Sequence, residues 1–270
     1  MRISISSPGV IRPLETAEDY GACIALQEET WGQGFADRVP ASLLLIAQKV
    51  GGIVAGAFEP DGSMAGFVLG FTGIRAGRPA HWSHMLAVRA DRRDRGVGRA
   101  LKRYQRDRLL KTGVDTMYWT FDPLVARNAN LNLNELGAVI EEYVVDLYGP
   151  GDESPVDSGI GTDRLVVRWD LRREEASGDE ERRGGTTSGL PDGRCATTAN
   201  EGIGAPVPVR IEIPPDIQEL KHQFLEQALE WRSATRRAFR DYLGQGYRVV
   251  GFERSQGGRG GSYVLTRSRD

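Results

Sequence analysis

The sequence predicts a mixed α/β fold, in which helices pack against a central sheet of parallel and antiparallel strands. Short segments rich in β-branched and aromatic residues alternate with amphipathic segments along most of the chain. Clusters of Gly, Pro, Asn and Asp separate these segments, as is typical of turns. At roughly 150 residues per domain, the 270 residues provide for one large or two small domains.

The first 172 residues carry predicted elements in the order β-α-α-β-β-β-α-β-α-β-β. Thr16 and Asp19 have the spacing of a capping box and predict a helix start. Pro60-Asp61-Gly62-Ser63 predicts a hairpin turn, and Gly113 is a predicted C-cap. The predicted strands are Val10–Leu14, Ile53–Phe58, Met64–Ile74, His81–Arg89, 116–121, Val139–Tyr148 and Leu165–Leu171; the predicted helices are Thr16–Trp31, Ala41–Lys49, Gly98–Thr112 and Asn128–Leu136.

Residues 173–208 form a predicted flexible linker. The segment holds seven Gly, seven Asp or Glu and no aromatic residue, so it buries too little apolar surface to offset the entropy of ordering. Structureless loops of this length are uncommon inside compact domains. The sequence is therefore divided into a domain at 1–172, the linker, and a C-terminal tail at 209–270.

The tail is predicted to form a strand, a helix and two paired strands, a C-terminal αββ extension after its first strand. Val209–Ile213 is the first strand, and Pro214-Pro215-Asp216 begins a helix. Apolar residues recur every three or four positions from Ile217 to Tyr242, which predicts one long helix. This stripe packs either on the sheet of the first domain or against a second copy in a homodimer. Strands at Tyr247–Phe252 and Tyr263–Leu265 would pair around the loop Gly257 to Gly261.

Composition excludes several classes of function and favours a cytoplasmic protein. With 35 Lys or Arg against 37 Asp or Glu, the net charge of −2 argues against a general polyanion binder. Cys23 and Cys195 cannot form a disulfide framework. The chain begins without a signal-peptide pattern, and the apolar run Leu43 to Ala47 is far too short to span a membrane. We expect neither a membrane nor a nucleic-acid partner.

A predicted strand-to-helix turn, Arg89 to Leu101, carries the main functional signal. A glycine-bearing turn that leads into a helix directs backbone N–H groups outward at the positive end of the helix dipole. The glycines Gly96 and Gly98 allow close approach of a ligand to the main chain. Residues 89–111 contain ten Lys or Arg and three Asp. We therefore predict a phosphate-bearing ligand.

The spacing of this turn disfavours the common nucleotide motifs. A Walker loop requires Lys directly after its last glycine, and Arg99 follows Gly98 here. A Rossmann fingerprint requires a third glycine where Leu101 stands. A nucleotide-binding regulatory domain is therefore the weaker alternative.

The pattern Arg93-x-x-Gly96-x-Gly98, preceded by Met85-Leu86-Ala87-Val88, resembles the signature of the GCN5-related N-acetyltransferase superfamily. Val88 stands eight residues before Gly96, as in that family. The element order over residues 10–171 is similar, and the stretch from Trp119 to Gly137 looks like the family's last helix, which ends in Leu-Gly. The resemblance implies a mixed central sheet of the acyl-CoA N-acyltransferase type over residues 1–172.

The resemblance also implies acetyl-CoA, or another acyl-CoA, as co-substrate. The strand with Leu86 and Val88 would diverge from the strand at Met117 to Phe121, so that an N–H of Leu86 or Val88 binds the thioester carbonyl. Backbone N–H groups of the turn would hold the pyrophosphate. The expected cofactor-binding residues are Leu86, Val88, Arg93, Asp94, Arg95, Gly96, Val97, Gly98, Arg99 and Asn128, with no metal.

His84 is the candidate catalytic base. Alternation along a strand would place Trp82, His84, Leu86 and Val88 on one face, and arylalkylamine acetyltransferases of this superfamily use a His there to deprotonate the substrate. Where the family often has a proton-donating Tyr, four residues before the glycine of Leu-Gly, this chain has Leu133. Water, Tyr118 or Tyr143 would replace it, or turnover has been lost.

The remaining candidates favour structural roles. Cys23 is expected in the core, and His81 and His84 lack the neighbours of a metal site. Ser83 and His84 would lie on opposite faces, which disfavours a nucleophilic pair. Six aromatic residues would line an acceptor pocket or the core: Trp31, Phe35, Phe67, Phe71, Trp82 and Trp119. A solvated helix face is expected for Arg99, Lys102, Arg103, Arg106 and Arg108, with Arg99 placed to meet a phosphate.

The predicted function is acyl transfer from acetyl-CoA to a small-molecule amine by direct attack in a ternary complex. A non-catalytic CoA-binding sensor or interaction module with the same fold is the alternative, because Leu133 occupies the tyrosine position.

Overall fold

The computed structural model describes residues 3–4, 9–149, 159–173, 208–255 and 260–267. A short 3₁₀ turn spans Ala90–Arg92, and a π-helical turn spans Asn130–Glu135. The strands are β1 (Ile3–Ser4), β2 (Val10–Pro13), β3 (Ile53–Phe58), β4 (Met64–Arg75), β5 (Arg78–Val88), β6 (Thr116–Phe121), β7 (Val139–Val144), β8 (Arg164–Asp170), β9 (Val209–Ile213), β10 (Tyr247–Arg254) and β11 (Gly261–Arg267). The helices are α1 (Ala17–Trp31), α2 (Ala41–Lys49), α3 (Val97–Leu110), α4 (Ala126–Ala129), α5 (Ile217–Gln223) and α6 (Leu225–Gly244).

The described residues form two compact units. The first contains 3–4, 9–119 and 168–173, and the second contains 120–149, 159–167, 208–255 and 260–267. Apart from residues 173 and 208, the predicted linker lies outside the described residues. The domain limits at 1–172, 173–208 and 209–270 remain predictions.

The first unit is built on a mixed sheet with the strand order β1-β2-β3-β4-β5-β6-β8. Neighbours from β1 to β5 are antiparallel, whereas β5 and β6 are parallel. Phe67 and Leu69 of β4 pack in one core with α1 and α2. Val68, on the opposite face of the same strand, packs in a second core with Leu101 and Tyr104 of α3. The predicted α/β class is confirmed.

Local signals place the start of α1 and the turn between β3 and β4. Thr16 and Asp19 form the predicted capping box at the start of α1, and the Pro60 to Ser63 turn joins the antiparallel β3 and β4. Cys23 is fully buried in the core, as predicted, and burial raises the pKa of its thiol to about 12.

The second unit contains β7, the start of β8, and an antiparallel sheet in the order β10-β11-β9. The predicted pairing of the last two strands is confirmed, although most of their connecting loop lies outside the described residues. The α6 helix packs on β9 and β10, the tail's own sheet. Asn134 of the π-helical turn bonds both backbone groups of Phe252, at 2.7 and 3.4 Å.

Two predicted elements differ from the structure. The single helix from Ile217 to Tyr242 is wrong: Phe224, with φ −145° and ψ 72°, ends α5 and precedes α6. The Phe224 side chain is 53% exposed, so the apolar stripe is not continuous in the core. The strand from Val139 ends at Val144 rather than Tyr148, because the chain turns at Asp146, whose φ is +47°.

Candidate active site

The turn between β5 and α3 has the geometry of an anion cradle. Asp94 and Gly96 adopt left-handed φ values of 59° and 80°. Gly96 is the N-cap of α3 and provides no side-chain cap. The N–H groups of Val97, Gly98 and Arg99 belong to the first helical turn, where no intrahelical acceptor is available. The positive end of a fourteen-residue helix therefore faces outward here.

The space in front of Gly96 is open. A Cβ atom built on Gly96 would meet nothing within 4 Å, so the protein itself does not crowd this position. The glycine is required by its positive φ, which L side chains rarely adopt. The same open face leaves room for a ligand at the main chain.

The arginines around the cradle differ in how their charge is compensated. Arg89 and Arg92 both bind Asp91, at 2.8 and 2.7 Å, and Arg92 also binds Glu59. Arg89 lowers the pKa of Asp91 to about 2. By contrast, Arg93 donates through Nε to the neutral carbonyl of Val88 at 3.2 Å, and Arg95 is exposed. Arg93 and Arg95 are therefore the better candidates to meet an anion.

The predicted solvated face of α3 requires a correction at Lys102. Arg103 and Arg108 are exposed, but Lys102 is only 3% exposed because its position on the helix faces the sheet. Burial holds the pKa of Lys102 well below its ordinary value. Arg106 is partly buried, and its Nε donates to the carbonyl of Leu171 at 2.8 Å.

Strands β5 and β6 diverge beside the cradle. They pair only at His81 with Met117 and at Trp82 with Tyr118. Among the described residues, positions 83–88 of β5, apart from His84, pair with β4 on one side, and none of them has a strand partner on the other. The divergence that the resemblance implied is present.

The N–H groups of Leu86 and Val88 face the open side of β5. The N–H of Arg89 donates to the carbonyl of Ala65 at 2.9 Å, toward β4. Successive N–H groups of a strand point in opposite directions. The N–H groups of Leu86 and Val88 therefore point away from β4, where an oxyanion could accept from them.

A β-bulge at His84 corrects the predicted faces of β5. Leu69 and Gly70 of β4 pair with Met85 and Ser83, so His84 is an extra residue in its strand. The alternation predicted for this strand is therefore interrupted. Leu86 packs toward α3, whereas the His84 ring lies on the opposite face. Trp82, His84, Leu86 and Val88 do not share one face.

His84 is exposed and lies in partly aromatic surroundings. Its ring centre is 6.0 Å from that of Phe71. Neighbouring atoms exclude part of the solvent and lower the pKa of the imidazole below its ordinary value, while Asp37 acts in the opposite direction. A second aromatic pair is formed by Trp31 and Phe35, which stack with ring centres 5.7 Å apart. A neutral imidazole at this surface can accept a proton.

The six candidate aromatic residues divide between core and surface. Phe67 and Trp119 are buried. Trp31, Phe35, Phe71 and Trp82 are partly exposed and remain candidates for an acceptor pocket.

The candidates beyond β6 lie in the second unit. Asn128 is half-buried in α4, and its contact with a cofactor remains a prediction. Leu133 is buried in the π-helical turn. Tyr143 donates to Asp163 at 2.5 Å, and burial together with this carboxylate raises the pKa of its phenol. Tyr143 is therefore a poor proton donor.

Sequence reasoning missed two site features. Lys102 is one of ten basic residues in 89–111, and composition does not distinguish it from exposed neighbours. The spacing of Leu101, Lys102, Gln105 and Leu109 along one helix face was the available signal, since all four are buried. Asp37, in the α1–α2 connection, has no local motif.

The comparisons with known proteins show similarity in structure alone. No family model matches the chain, and no curated protein matches it in sequence. Matches to solved structures number 334 chains. One is described as the NatC complex bound to Gag peptide and CoA, with 14% identity, a TM-score of 0.49, and coverage of 60% of this chain and 98% of that chain.

Two further matches carry similar descriptions. The ribosomal-protein-S18-alanine N-acetyltransferase from Escherichia coli has 20% identity and a TM-score of 0.47, covering 63% of this chain and 97% of that one. An aminoglycoside 6'-N-acetyltransferase complexed with coenzyme A has 15% identity and a TM-score of 0.45, covering 60% and 96%.

The element order and the diverging parallel strands follow the pattern predicted above. The chain has the mixed α/β sheet with a diverging pair of parallel strands that the resemblance implied. Within the described residues, no helix is both long and apolar enough to cross a membrane. No cluster of three or more His, Cys, Asp or Glu side chains in the same residues could hold a metal ion.

Proposed function

We propose that this chain is an acyl-CoA-dependent N-acyltransferase that acts on a small-molecule amine. The observation that carries the proposal is the divergence of β5 from β6 directly before the cradle at Gly96. It combines an open strand edge with outward helix N–H groups in one continuous stretch of chain. An elongated ligand with a thioester at one end and a pyrophosphate at the other fits this sequence of groups.

Each group in the stretch has an assigned role in the proposal. Backbone N–H groups from Asp94 to Arg99 bind the pyrophosphate, and Arg93 and Arg95 add positive charge. The N–H of Leu86 or Val88 binds the thioester oxygen as negative charge develops on it. The N–H groups are held by a paired strand, so they need little reorganisation during the reaction.

The reaction is direct attack of a neutral amine on the thioester carbonyl. The C–N bond forms, the C–S bond breaks, and CoA leaves as a thiolate. His84 accepts the proton that the amine loses. Water or Tyr118 supplies the proton that the thiolate takes up, since Tyr143 is engaged by Asp163.

The surroundings of His84 favour an amine with an apolar portion. Phe71 is partly exposed beside it, and Asp37 provides negative charge that attracts an ammonium group. A homodimer and a cytoplasmic location remain predictions.

A matched pair of glycine variants tests the cradle. Gly96 and Gly113 both have φ near +80°, and a Cβ at either would meet nothing within 4 Å. Gly96→Val and Gly113→Val should therefore lose similar stability, about 1–2 kcal/mol for a β-branched residue in this conformation. Only Gly96→Val should lose CoA binding, measured by calorimetry. Equal CoA affinity in the two variants would contradict the cradle.

Replacement of His84 tests the base and separates the two candidate functions. His84→Ala should lower turnover about 100-fold or more and leave CoA affinity unchanged. Because neighbouring atoms exclude part of the solvent and lower the pKa of His84, kcat/KM of the unaltered chain should decrease only as the pH falls below about 6.5. Thiol release with a panel of amines provides the assay. CoA binding without thiol release from any amine would favour the sensor, which the buried Leu133 supports.

A further inference from the structure

A buried lysine lies where β5 and β6 part. Lys102 donates from Nζ to Ser83 Oγ at 2.8 Å, and the same Nζ is 3.9 Å from the centre of the Trp119 ring. Ser83 and Trp119 each directly follow the last paired residue of their strand, Trp82 and Tyr118. Lys102 therefore touches both strands at their fork, from the α3 side.

A chain of hydrogen bonds continues from Lys102 along β5. Ser83 Oγ donates to Gln105 Oε1 at 2.8 Å, and Gln105 Nε2 lies 3.2 Å from His81 Nε2. All four side chains are at most 4% exposed. On the far side, His81 Nδ1 lies 3.0 Å from Thr72 Oγ1.

The donor and the acceptor of each hydrogen bond in this series can be assigned by starting from Thr72. Thr72 Oγ1 donates to the carbonyl of Gly51 at 3.0 Å, so Thr72 must accept from His81 Nδ1–H. Gln105 accepts from Ser83 through Oε1, so it presents its Nε2 donor to His81. His81 Nε2 therefore accepts and carries no proton, and the ring is neutral. Lys102 is the first donor of a chain that runs one way and ends on a backbone carbonyl.

No carboxylate within the described residues pairs with Lys102. Its contacts are a hydroxyl and an aromatic face, which fit an amine but do not compensate a full charge. Burial lowers the pKa of Lys102, and it also lowers the pKa of His81 to about 3, with a smaller effect from Lys102. A buried lysine held in this way reduces stability relative to an apolar residue of similar size.

We propose that Lys102 is a positioning residue that fixes the fork between β5 and β6 and, through Ser83, the bulge that presents His84. Ser83 directly precedes His84. A restraint on Ser83 from the α3 side therefore sets the direction in which the extra residue leaves the strand. The inference rests on the proposed function for its effect on turnover, but its effect on the bulge is independent of any ligand.

The test compares Lys102→Met with Arg108→Met, an exposed position on the same helix. In Lys102→Met, amide hydrogen exchange at residues 83–86 should become faster, and the NMR titration of the His84 ring should shift. Turnover should fall about 10- to 100-fold with CoA affinity unchanged, while the melting temperature holds or rises. Arg108→Met should match the unaltered chain in all five measurements.

A hydroxyl swap provides a milder second test. Ser83→Ala should reproduce the changes in exchange and His84 titration, and Ser83→Thr, which keeps the hydroxyl, should restore them toward the unaltered chain. Exchange and titration unchanged in both Lys102→Met and Ser83→Ala would overturn the proposal. If the proposed function were wrong, the unaltered chain would bind no CoA. The exchange and titration measurements need no ligand and would still test the role of Lys102.

Discussion

Each compact unit contains a buried cluster with a basic side chain, and the two clusters differ in how that side chain is compensated. In the second unit, Arg232 binds Asp122 through two bonds of 2.9 and 2.7 Å, so a buried positive charge meets a buried negative one. In the first unit, the contacts that the buried Lys102 makes with described residues are to a hydroxyl and an aromatic ring. The charge of Arg232 on α6 is thus compensated by Asp122. The contacts described for Lys102, at the fork between β5 and β6, include no such partner. Burial by itself therefore does not distinguish a structural polar cluster from one with another role.

The second cluster extends along α6. Arg236 binds Asp163 at 2.6 and 2.8 Å and Asp146 at 3.0 Å. Burial acts to raise the pKa of Asp163, but Arg236 and Tyr143 hold it below its ordinary value. These pairs join α6 to residues that precede the predicted linker, so we expect the tail to contribute to the stability of residues 120–167.

Removing one partner of the buried pair should have the largest effect on stability. Although burial opposes it, Arg232 lowers the pKa of Asp122, so the carboxylate is ionised in the fold. Asp122→Asn leaves the Arg232 charge unpaired and should cost about 3–5 kcal/mol in the free energy of unfolding. Urea denaturation measures it.

A surface pair in the same unit provides the control. Arg210 binds Glu253 through two bonds, but its partner carboxylate is 41% exposed. Glu253→Gln should therefore cost less than about 1 kcal/mol. The double variant Asp122→Leu with Arg232→Met should recover most of the lost stability. An Asp122→Asn loss as small as that of Glu253→Gln would remove the contrast between the units.

The parts of the fold that the sequence predicted depend on neighbours in the chain. The capping box at Thr16 and the hairpin at Pro60 to Ser63 are set by residues within four positions of each other. The cradle at Gly96 was found for the same reason, because its signature occupies one turn. Whether its residues bind CoA remains a prediction.

The parts that were missed depend on contacts distant in sequence. The bulge at His84 arises because Leu69 and Gly70 of β4 pair with the residues on either side of it. No residue near His84 in the sequence predicts this pairing. The glycine at position 70 is required by a neighbour on β5, since a Cβ there would lie 2.1 Å from His81 Nε2. The burial of Lys102 likewise follows from what packs beneath α3.

The neutral cluster of the first unit, which joins Lys102 to His81, should affect the free energy of unfolding less than the buried ion pair does. Its effect should depend on pH. His81 has a folded pKa of about 3 against an ordinary value of 6.5, so between these values the unfolded chain binds a proton that the fold excludes. The contribution of His81 to the free energy of unfolding is therefore complete above pH 6.5. It decreases as the pH falls below that value, by up to about 1.4 kcal/mol per pH unit. The free energy of unfolding is measured between pH 6.5 and 5, because most carboxylates titrate below that window. His84, whose pKa is also lowered, contributes to the slope in the unaltered chain and in both variants alike. His81→Gln, which keeps hydrogen-bonding groups without the titration, should flatten the slope, and the exposed His222→Gln should not. A slope equal in both variants would mean that the buried imidazole is not held neutral, and the one-way order of donors from Lys102 to Gly51 would then be wrong.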